Sequence, residues 1–131
     1  MTESNLDVIL RGLELWNAGD FEDALELVHP DLEWRPGPVF PDLDDVYRGH
    51  EGLMRFWDEF SGPFATVSLE PRRRFAEGDE VVIEAHFEAR GREGVEVDMD
   101  VAQRYQMRDG KLARFEGYER LEDALAAAGL T

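Results

Sequence analysis

The segment at residues 17–30, which reads NAGDFEDALELVHP, constrains the fold more than any other part of the chain. Gly19 follows an apolar stripe at helical spacing and suits the left-handed position that ends a helix. Asp20 is a preferred N-cap for a second helix, and Pro30 closes its apolar repeat. A strand-like segment follows at once. Two helices, a short turn and then a strand indicate an α+β fold in which the helices cover one face of a curved sheet.

Helical periodicity continues beyond this segment. Apolar residues recur every three or four positions over residues 5–17, 21–28, 50–61 and 121–128, which predicts four helices. A strand is predicted at residues 31–35. The proline-rich, glycine-rich and acidic stretch at residues 36–49 is interpreted as a loop at the rim of a pocket.

From residue 66 onward the period changes to two. This predicts strands at residues 66–76, 80–90, 95–107 and 111–118. Asp109 and Gly110 supply the positive φ angles that a type I′ hairpin turn requires. The predicted order is ααβαββββα, in one domain spanning residues 1–131 without a repeat or a linker.

Composition restricts the classes of partner. The formal net charge of −16 argues against nucleic acid and anionic membrane as partners. The chain has no cysteine, and its three histidines show no metal-ligand spacing, so we expect no thiol chemistry, no metal and no cofactor. It also lacks a signal-peptide pattern and an apolar run of membrane-spanning length, which predicts a cytoplasmic protein.

The predicted strand at residues 95–107 alternates cleanly, and Gln103 lies in its apolar row. A glutamine there either meets a ligand in a cavity or bonds a neighbouring side chain, and the sequence leaves both readings open. In the preceding strand, Glu84, His86 and Glu88 alternate with an apolar row. A histidine between two acids is one pattern of an acid–base site, but we expect these three side chains on the outer surface of the sheet.

Several aromatic residues are candidates for a pocket wall, although packing in an ordinary core is the alternative. The predicted ligand-binding residues are Trp34, His50 at the rim, Trp57, Phe60, Tyr105 and Tyr118. The last strand has two possible orientations. Either Phe115 and Gly117 point inward, or Arg114, Glu116 and Tyr118 do. If Glu116 is inside, apolar surroundings raise its pKa and make it the best candidate for a general base, beside Gln103 as the other candidate catalytic residue.

Three motifs and the element order resemble the NTF2-like superfamily, and within it the SnoaL-like group. The motifs are the turn at residues 17–20, the segment YRGHEG at 47–52 and the segment RDGK at 108–111, and the C-terminal tail fits as well. The resemblance implies a cone-shaped α+β fold with a mostly antiparallel sheet wrapped around the N-terminal helices. Its members include ketosteroid isomerase, polyketide cyclases and epoxide hydrolases, so the resemblance alone selects no reaction.

The resemblance also places the catalytic groups of relatives on this chain. The oxyanion-hole tyrosine of the isomerase falls at Gly12, and its general-base aspartate falls near Pro36. The protonated aspartate of the isomerase falls at or beside Gln103, whose amide can donate a hydrogen bond without a pKa shift. The catalytic aspartate of an epoxide-hydrolase branch falls at Gly117.

Three functions remain open at this point. The first is a cofactor-free isomerase-type or cyclase-type enzyme for a small apolar substrate. The second is a protein that binds a small hydrophobic molecule without converting it. The third is an association module that uses the outer sheet face around Glu84, His86 and Glu88, the face through which we expect a homodimer.

Overall fold

A six-stranded curved sheet organises the chain. The computed structural model describes residues 4–38 and 42–130. In chain order the elements are α1 (Asn5–Ala18), α2 (Phe21–Leu25), β1 (Val28–Arg35), β2 (Tyr47–Arg48), α3 (Gly49–Ser61), β3 (Phe64–Glu77), β4 (Glu80–Gly91), β5 (Glu96–Arg108), β6 (Lys111–Tyr118) and α4 (Leu121–Ala128). None of the described helices combines the length and the apolar character needed to cross a lipid bilayer.

The strand order across the sheet is β2-β1-β6-β5-β4-β3. All neighbouring strands run antiparallel except β1 and β6, which are parallel. The β5–β6 hairpin turns at Asp109 and Gly110 with φ angles of 56° and 77°, as the sequence predicts. The expected α+β class and the NTF2-like architecture are confirmed.

The two faces of the sheet have different coverings. On the inner face, the alternate residues of β4 from Val81 to Ala89 are each at most 5% exposed and join one core with residues of α1 and α3. On the outer face, α4 packs against β4 and β5 through a small separate cluster that contains Val82, Ala102 and Ala124. The predicted alternation in β4 is therefore confirmed, and Glu84, His86 and Glu88 lie on the outer row.

The second helix and the first strand differ from the sequence prediction. The helix ends at Leu25 rather than near residue 28, and β1 begins at Val28 rather than at residue 31. Val28 pairs with Leu112 of β6, and the register shifts between Val28 and Glu33. Pairing with β6, which is distant in sequence, therefore overrides the helical periodicity up to Val28. Pro30 is tolerated in β1 because it lies where the register shifts and the regular ladder is interrupted. The Asp20 side chain makes no capping hydrogen bond.

The long loop after β1 contains an unpredicted strand. β2 has two residues and pairs with Trp34 and Glu33 of β1. Tyr47 is fully buried, and its hydroxyl donates to Glu59 at 2.8 Å and accepts from the amide of Asp44 at 3.1 Å. This tyrosine fastens the end of the loop to α3. Residues 39–41 of the predicted loop lie outside the described residues.

Candidate ligand site

A cavity of about 150 Å³ lies between the inner sheet face and the helices α1 and α3. Its lining is almost entirely aromatic or aliphatic, and all three tryptophans of the chain take part: Trp16, Trp34 and Trp57. An apolar cavity of about this size holds one benzene-sized molecule in a well-studied engineered protein. The space therefore suits a small ring system.

Two groups of aromatic rings contribute to the cavity walls, one from the helices, whose rings meet edge to face, and one from the sheet, whose rings are stacked. On the helix side, Trp16 contacts Phe21 and Trp57 with ring centroids 4.7 and 4.9 Å apart. On the sheet side, the Trp34 ring stacks on Phe115 at 3.8 Å with an interplanar angle of 12°. Neighbouring positions on β1 and β6 bring this second pair together, because Trp34 lies opposite Phe115 in the parallel register. The stacked pair Trp34 and Phe115 gives the cavity one flat aromatic surface, against which a ring can pack.

The polar end of the cavity is formed by two residues of β5. Tyr105 and Gln103 are two positions apart on the strand, so both side chains point to the cavity. The Tyr105 hydroxyl donates to Oε1 of Gln103 at 2.5 Å. Tyr105 is only 3% exposed, and burial raises its pKa far above the ordinary value, so the hydroxyl stays neutral.

The amide nitrogen of Gln103 is the free donor at this end. Within residues 4–38 and 42–130, nothing accepts a hydrogen bond from Nε2, whereas Oε1 is already used by Tyr105. The other amide in the lining, that of Asn17, is fully engaged: its two ends pair with the backbone of Leu69 at 3.0 and 3.4 Å. Gln103 is thus arranged to donate to an acceptor on a ligand.

Trp34 carries a second unpaired donor. Its indole nitrogen is buried and has no hydrogen-bond partner among the described residues. An unsatisfied buried donor costs about 1–3 kcal/mol. Because this atom is closed off from water, a ligand can reach it only if a neighbouring side chain moves.

No charged side chain lines the cavity within the described part of the chain. Aspartate, glutamate and histidine are the usual general bases, and none of them is among the described lining residues. The arrangement can donate hydrogen bonds and exclude water. It supplies neither a base nor a nucleophile of the ordinary kind from those residues.

Glu116 lies on the outer face, away from the cavity. In β6 it is Phe115 and Gly117 that line the cavity, which resolves the two orientations left open by the sequence. The Glu116 carboxylate accepts hydrogen bonds of 2.8 Å from Arg104, Arg114 and Tyr118. Burial alone raises the pKa of Glu116, but these hydrogen bonds outweigh it and lower the pKa to about 2. The candidate base is therefore an ionised, fully partnered carboxylate.

His50 and Tyr118 have structural contacts of their own. His50 is absent from the lining, and its Nε2 lies 2.8 Å from the carbonyl oxygen of Val28, which ties the start of α3 to β1. Tyr118 touches the cavity but also packs into the outer cluster with α4. Burial first, and then its hydrogen bond to Glu116, raises the pKa of Tyr118 to about 12. The remaining predicted wall residues, Trp34, Trp57, Phe60, Gln103 and Tyr105, all line the cavity.

Gly117 is a site residue whose importance was not evident from the sequence. A Cβ atom there would overlap the carbonyl oxygen of Pro36, and Gly37 likewise approaches the Gly117 backbone with a φ angle of 81°. The loop after β1 thus crosses directly over β6 and closes one side of the cavity. Gly12 and Pro36 line the same cavity. The family resemblance implies catalytic groups of relatives at Gly12, Pro36 and Gly117, and none of these three residues has a reactive side chain.

Comparison with known families agrees with this geometry. The sequence profile of the SnoaL-like domain matches residues 9–115. The chain belongs to the SnoaL-like family. A comparison with curated proteins returned no match.

Solved structures resemble this SnoaL-like domain over nearly its full length. The structure of TerC co-crystallised with polyporic acid matches with a TM-score of 0.81 at 27% identity, covering 95% of this chain and 96% of that chain. An NTF2-like protein of unknown function from Burkholderia pseudomallei has a TM-score of 0.80 at 16% identity, with 97% and 98% covered. A Mycobacterium tuberculosis protein in complex with estradiol-17β-hemisuccinate has a TM-score of 0.77 at 17% identity, with 92% and 97% covered. The last two likenesses concern the fold alone.

Proposed function

We propose that this SnoaL-like domain binds a small, uncharged, largely apolar ring compound that carries a hydrogen-bond acceptor such as a carbonyl oxygen. The observation that carries the proposal is an aromatic cavity of about 150 Å³ with one free amide donor, that of Gln103. Apolar contact comes from the aromatic lining residues Trp34, Trp57, Phe60 and Tyr105. Gln103 contributes orientation, because its Nε2 has no acceptor among the described residues.

Charge supports a neutral ligand. Bringing an ionised carboxylate into an apolar cavity without a cationic partner is costly, and the described lining contains no arginine, lysine or histidine. A ketone or an ester loses far less hydration energy. Two of the matched structures hold ring-containing organic molecules, polyporic acid and estradiol-17β-hemisuccinate, which supports a ring system as the ligand. Both molecules carry acidic groups, so the neutral charge of the proposed ligand rests on the lining of this cavity alone.

Acetophenone and α-methylstyrene form a matched pair of probes, since they differ mainly in a carbonyl oxygen against a methylene group. All three tryptophans line the cavity, so their indole N–H signals in two-dimensional NMR report occupancy directly. We expect acetophenone to bind more tightly than α-methylstyrene. Gln103→Leu should weaken acetophenone binding about fivefold to tenfold, the value of one hydrogen bond, and should leave α-methylstyrene nearly unchanged.

The chain offers a matched control for this substitution. Gln106 is the only other glutamine and lies on the outer row, where its amide donates to Glu80 at 3.2 Å. Gln106→Leu should therefore leave both probe affinities unchanged. Adding Tyr105→Phe to Gln103→Leu removes the hydroxyl that the single variant leaves unpaired. Equal affinity of the wild-type protein for the two probes would contradict the assignment of Gln103.

A cofactor-free isomerase-type or cyclase-type activity is the second candidate. It is favoured by the Gln103 donor beside a neutral Tyr105, since fixed donors in a dry site stabilise an enolate oxygen. Such a reaction takes a proton from the carbon next to the carbonyl group. Because the described lining residues include no aspartate, glutamate or histidine, water or a group on the substrate would accept that proton. The test is deuterium exchange at the acetophenone methyl group in D₂O. Exchange that exceeds the buffer rate and is lost in Gln103→Leu would favour catalysis, whereas binding without added exchange favours a binding protein.

We also propose a homodimer formed through the outer sheet face, as the family resemblance implies. The charged groups at the centre of this face, Glu80, Arg104 and Glu116, already pair within one chain, so association need not leave them unpaired. Sedimentation velocity should give twice the chain mass. A strictly monomeric species across the accessible concentration range would contradict this proposal without affecting the cavity.

A further inference from the structure

Four outward side chains of β4 and β5 form a compact group on the face opposite the cavity. In the antiparallel register His86 lies opposite Asp100, and Glu88 lies opposite Asp98. Because residues two apart on a strand share a face, the four side chains occupy the corners of a small rectangle. The cavity residues make no contribution to this group.

The imidazole of His86 is held between the carboxylates. Its Nδ1 lies 2.8 Å from Oδ1 of Asp100. Its Nε2 lies 2.8 Å from Oδ1 of Asp98 and 3.3 Å from Oε1 of Glu88. The histidine side chain is 19% exposed, whereas the side chains of Glu88 and Asp98 are 59% and 68% exposed. Nε2 of the half-buried imidazole thus faces two carboxylate oxygens on side chains that are largely exposed to solvent.

We propose that His86, Glu88 and Asp98 bind a divalent transition-metal ion, with Asp100 as a positioning residue. One ligand atom from each of the three lies within 4.8 Å of the others. Ligands bonded to zinc at about 2.0–2.2 Å lie roughly 3–3.5 Å apart, so only a small contraction is needed. One imidazole nitrogen and two carboxylate oxygens suit Zn²⁺ and its first-row neighbours, and water completes the coordination.

Asp100 gives this group a feature that a simple patch of acids lacks. Metal-bound histidines commonly donate their second ring N–H to a carboxylate, which fixes the tautomer and directs the other nitrogen to the metal. The Nδ1 contact with Asp100 does this for His86, and the nitrogen left for the metal is the one that faces Asp98 and Glu88. All four residues come from one chain, and the site does not depend on the proposed cavity ligand. It lies on the face through which the homodimer is proposed, so it requires a dimer contact that leaves His86, Glu88 and Asp98 open to solvent.

Isothermal titration of the full chain with ZnCl₂, after treatment with chelator, tests the site. The wild-type protein should bind one zinc ion per chain. His86→Gln should weaken binding more than a hundredfold. Asp100→Asn should weaken it about tenfold to a hundredfold, the usual effect of losing the carboxylate that orients a ligand. His50→Gln is the matched control and should bind as the wild type does, because His50 contacts Val28 instead.

Two outcomes would overturn the proposal. One is equal zinc affinity of His86→Gln and the wild type, which would mean that exposed carboxylates bind the ion without the imidazole. The other is an absence of saturable binding up to millimolar zinc. Asp98→Asn is a second variant in case His86→Gln does not fold. Asp98 is exposed, so its replacement should lower the zinc affinity and leave the unfolding temperature unchanged. Co²⁺ absorption bands offer a second readout of nitrogen and oxygen coordination.

Discussion

At the residue scale, alanine substitutions at two glycines of the cavity should change the free energy of unfolding in opposite directions. Gly117→Ala should lower the free energy of unfolding by about 1–3 kcal/mol, because the new methyl group overlaps the Pro36 carbonyl and the backbone has to move. Gly12→Ala should raise it by about 0.5–1 kcal/mol, since Gly12 lies inside α1 and a Cβ there meets only Leu27 at 3.6 Å. Urea denaturation of both variants measures the difference. Equal effects would mean that the loop over β6 is free to shift.

Individual residues also show which parts of the site could be predicted from the sequence. Gln103 and Tyr105 could be predicted because β5 alternates without interruption and one polar residue breaks its apolar row. The orientation of Glu116 could not be predicted, since the alternation in β6 is compatible with either face. The contact of the loop at Pro36 with Gly117 determines which face lines the cavity. The group around His86 was equally hidden, because its ligands lie on two strands and come together only through their register.

At the element scale, ion pairs join the outer rows of three strands. Arg104 on β5 bridges Glu80 on β4 and Glu116 on β6, with nitrogen–oxygen distances of 2.6 and 2.8 Å. The pKa of Glu116 is lowered to about 2 in the folded chain, so its stabilisation is complete above its unfolded value of about 4.5 and is lost as the pH falls toward 2. Glu116→Gln should therefore be less stable than the wild type at neutral pH, and the difference should shrink steadily over that window.

Denaturation at several pH values measures this difference, with Glu122→Gln as the control. Glu122 pairs with Arg120 on the surface, both side chains being well exposed, so its replacement should have no measurable effect at any pH. A constant gap between Glu116→Gln and the wild type down to low pH would mean that the network stabilises by packing rather than by charge.

Elements with their own periodicity were predictable, and those made by distant pairing were not. The four long strands and α1, α3 and α4 carry clear repeats of two or of three to four residues. α2 ends early because Leu27 and Val28 join the β6 ladder, with the Leu112 amide donating to the Leu27 carbonyl at 2.9 Å. β2 has only two residues, too few for any period, and it exists because Tyr47 is buried against α3.

At the scale of the whole molecule, neutral and charged chemistry occupy opposite faces of one sheet. The inner face holds the cavity, whose described lining carries no charge, while the outer face holds the Arg104 network and the His86 group. The strand alternation produces this separation directly, since neighbouring residues point to opposite sides. The proposed binding of an apolar ligand and the proposed binding of a metal should therefore respond independently to substitutions on the two faces of the same strand.

The net charge of −16 predicts how salt affects stability. Thirty acidic residues against fourteen basic ones repel one another in the folded state. The exposed ion pairs oppose this, but each is worth little, so repulsion should dominate. Raising NaCl from low concentration to about 0.15 M shortens the Debye length to about 8 Å and should raise the unfolding temperature.

The combined variant Glu22→Gln and Glu26→Gln tests the same balance, because both side chains are exposed near α2. It should unfold at a higher temperature than the wild type in low salt and should respond less to NaCl. Differential scanning calorimetry of both proteins gives the change of unfolding temperature with NaCl concentration for each. An unfolding temperature that falls as salt is added would mean that the ion pairs of the outer face outweigh the repulsion, and the stability of the sheet would then depend mainly on the Arg104 network.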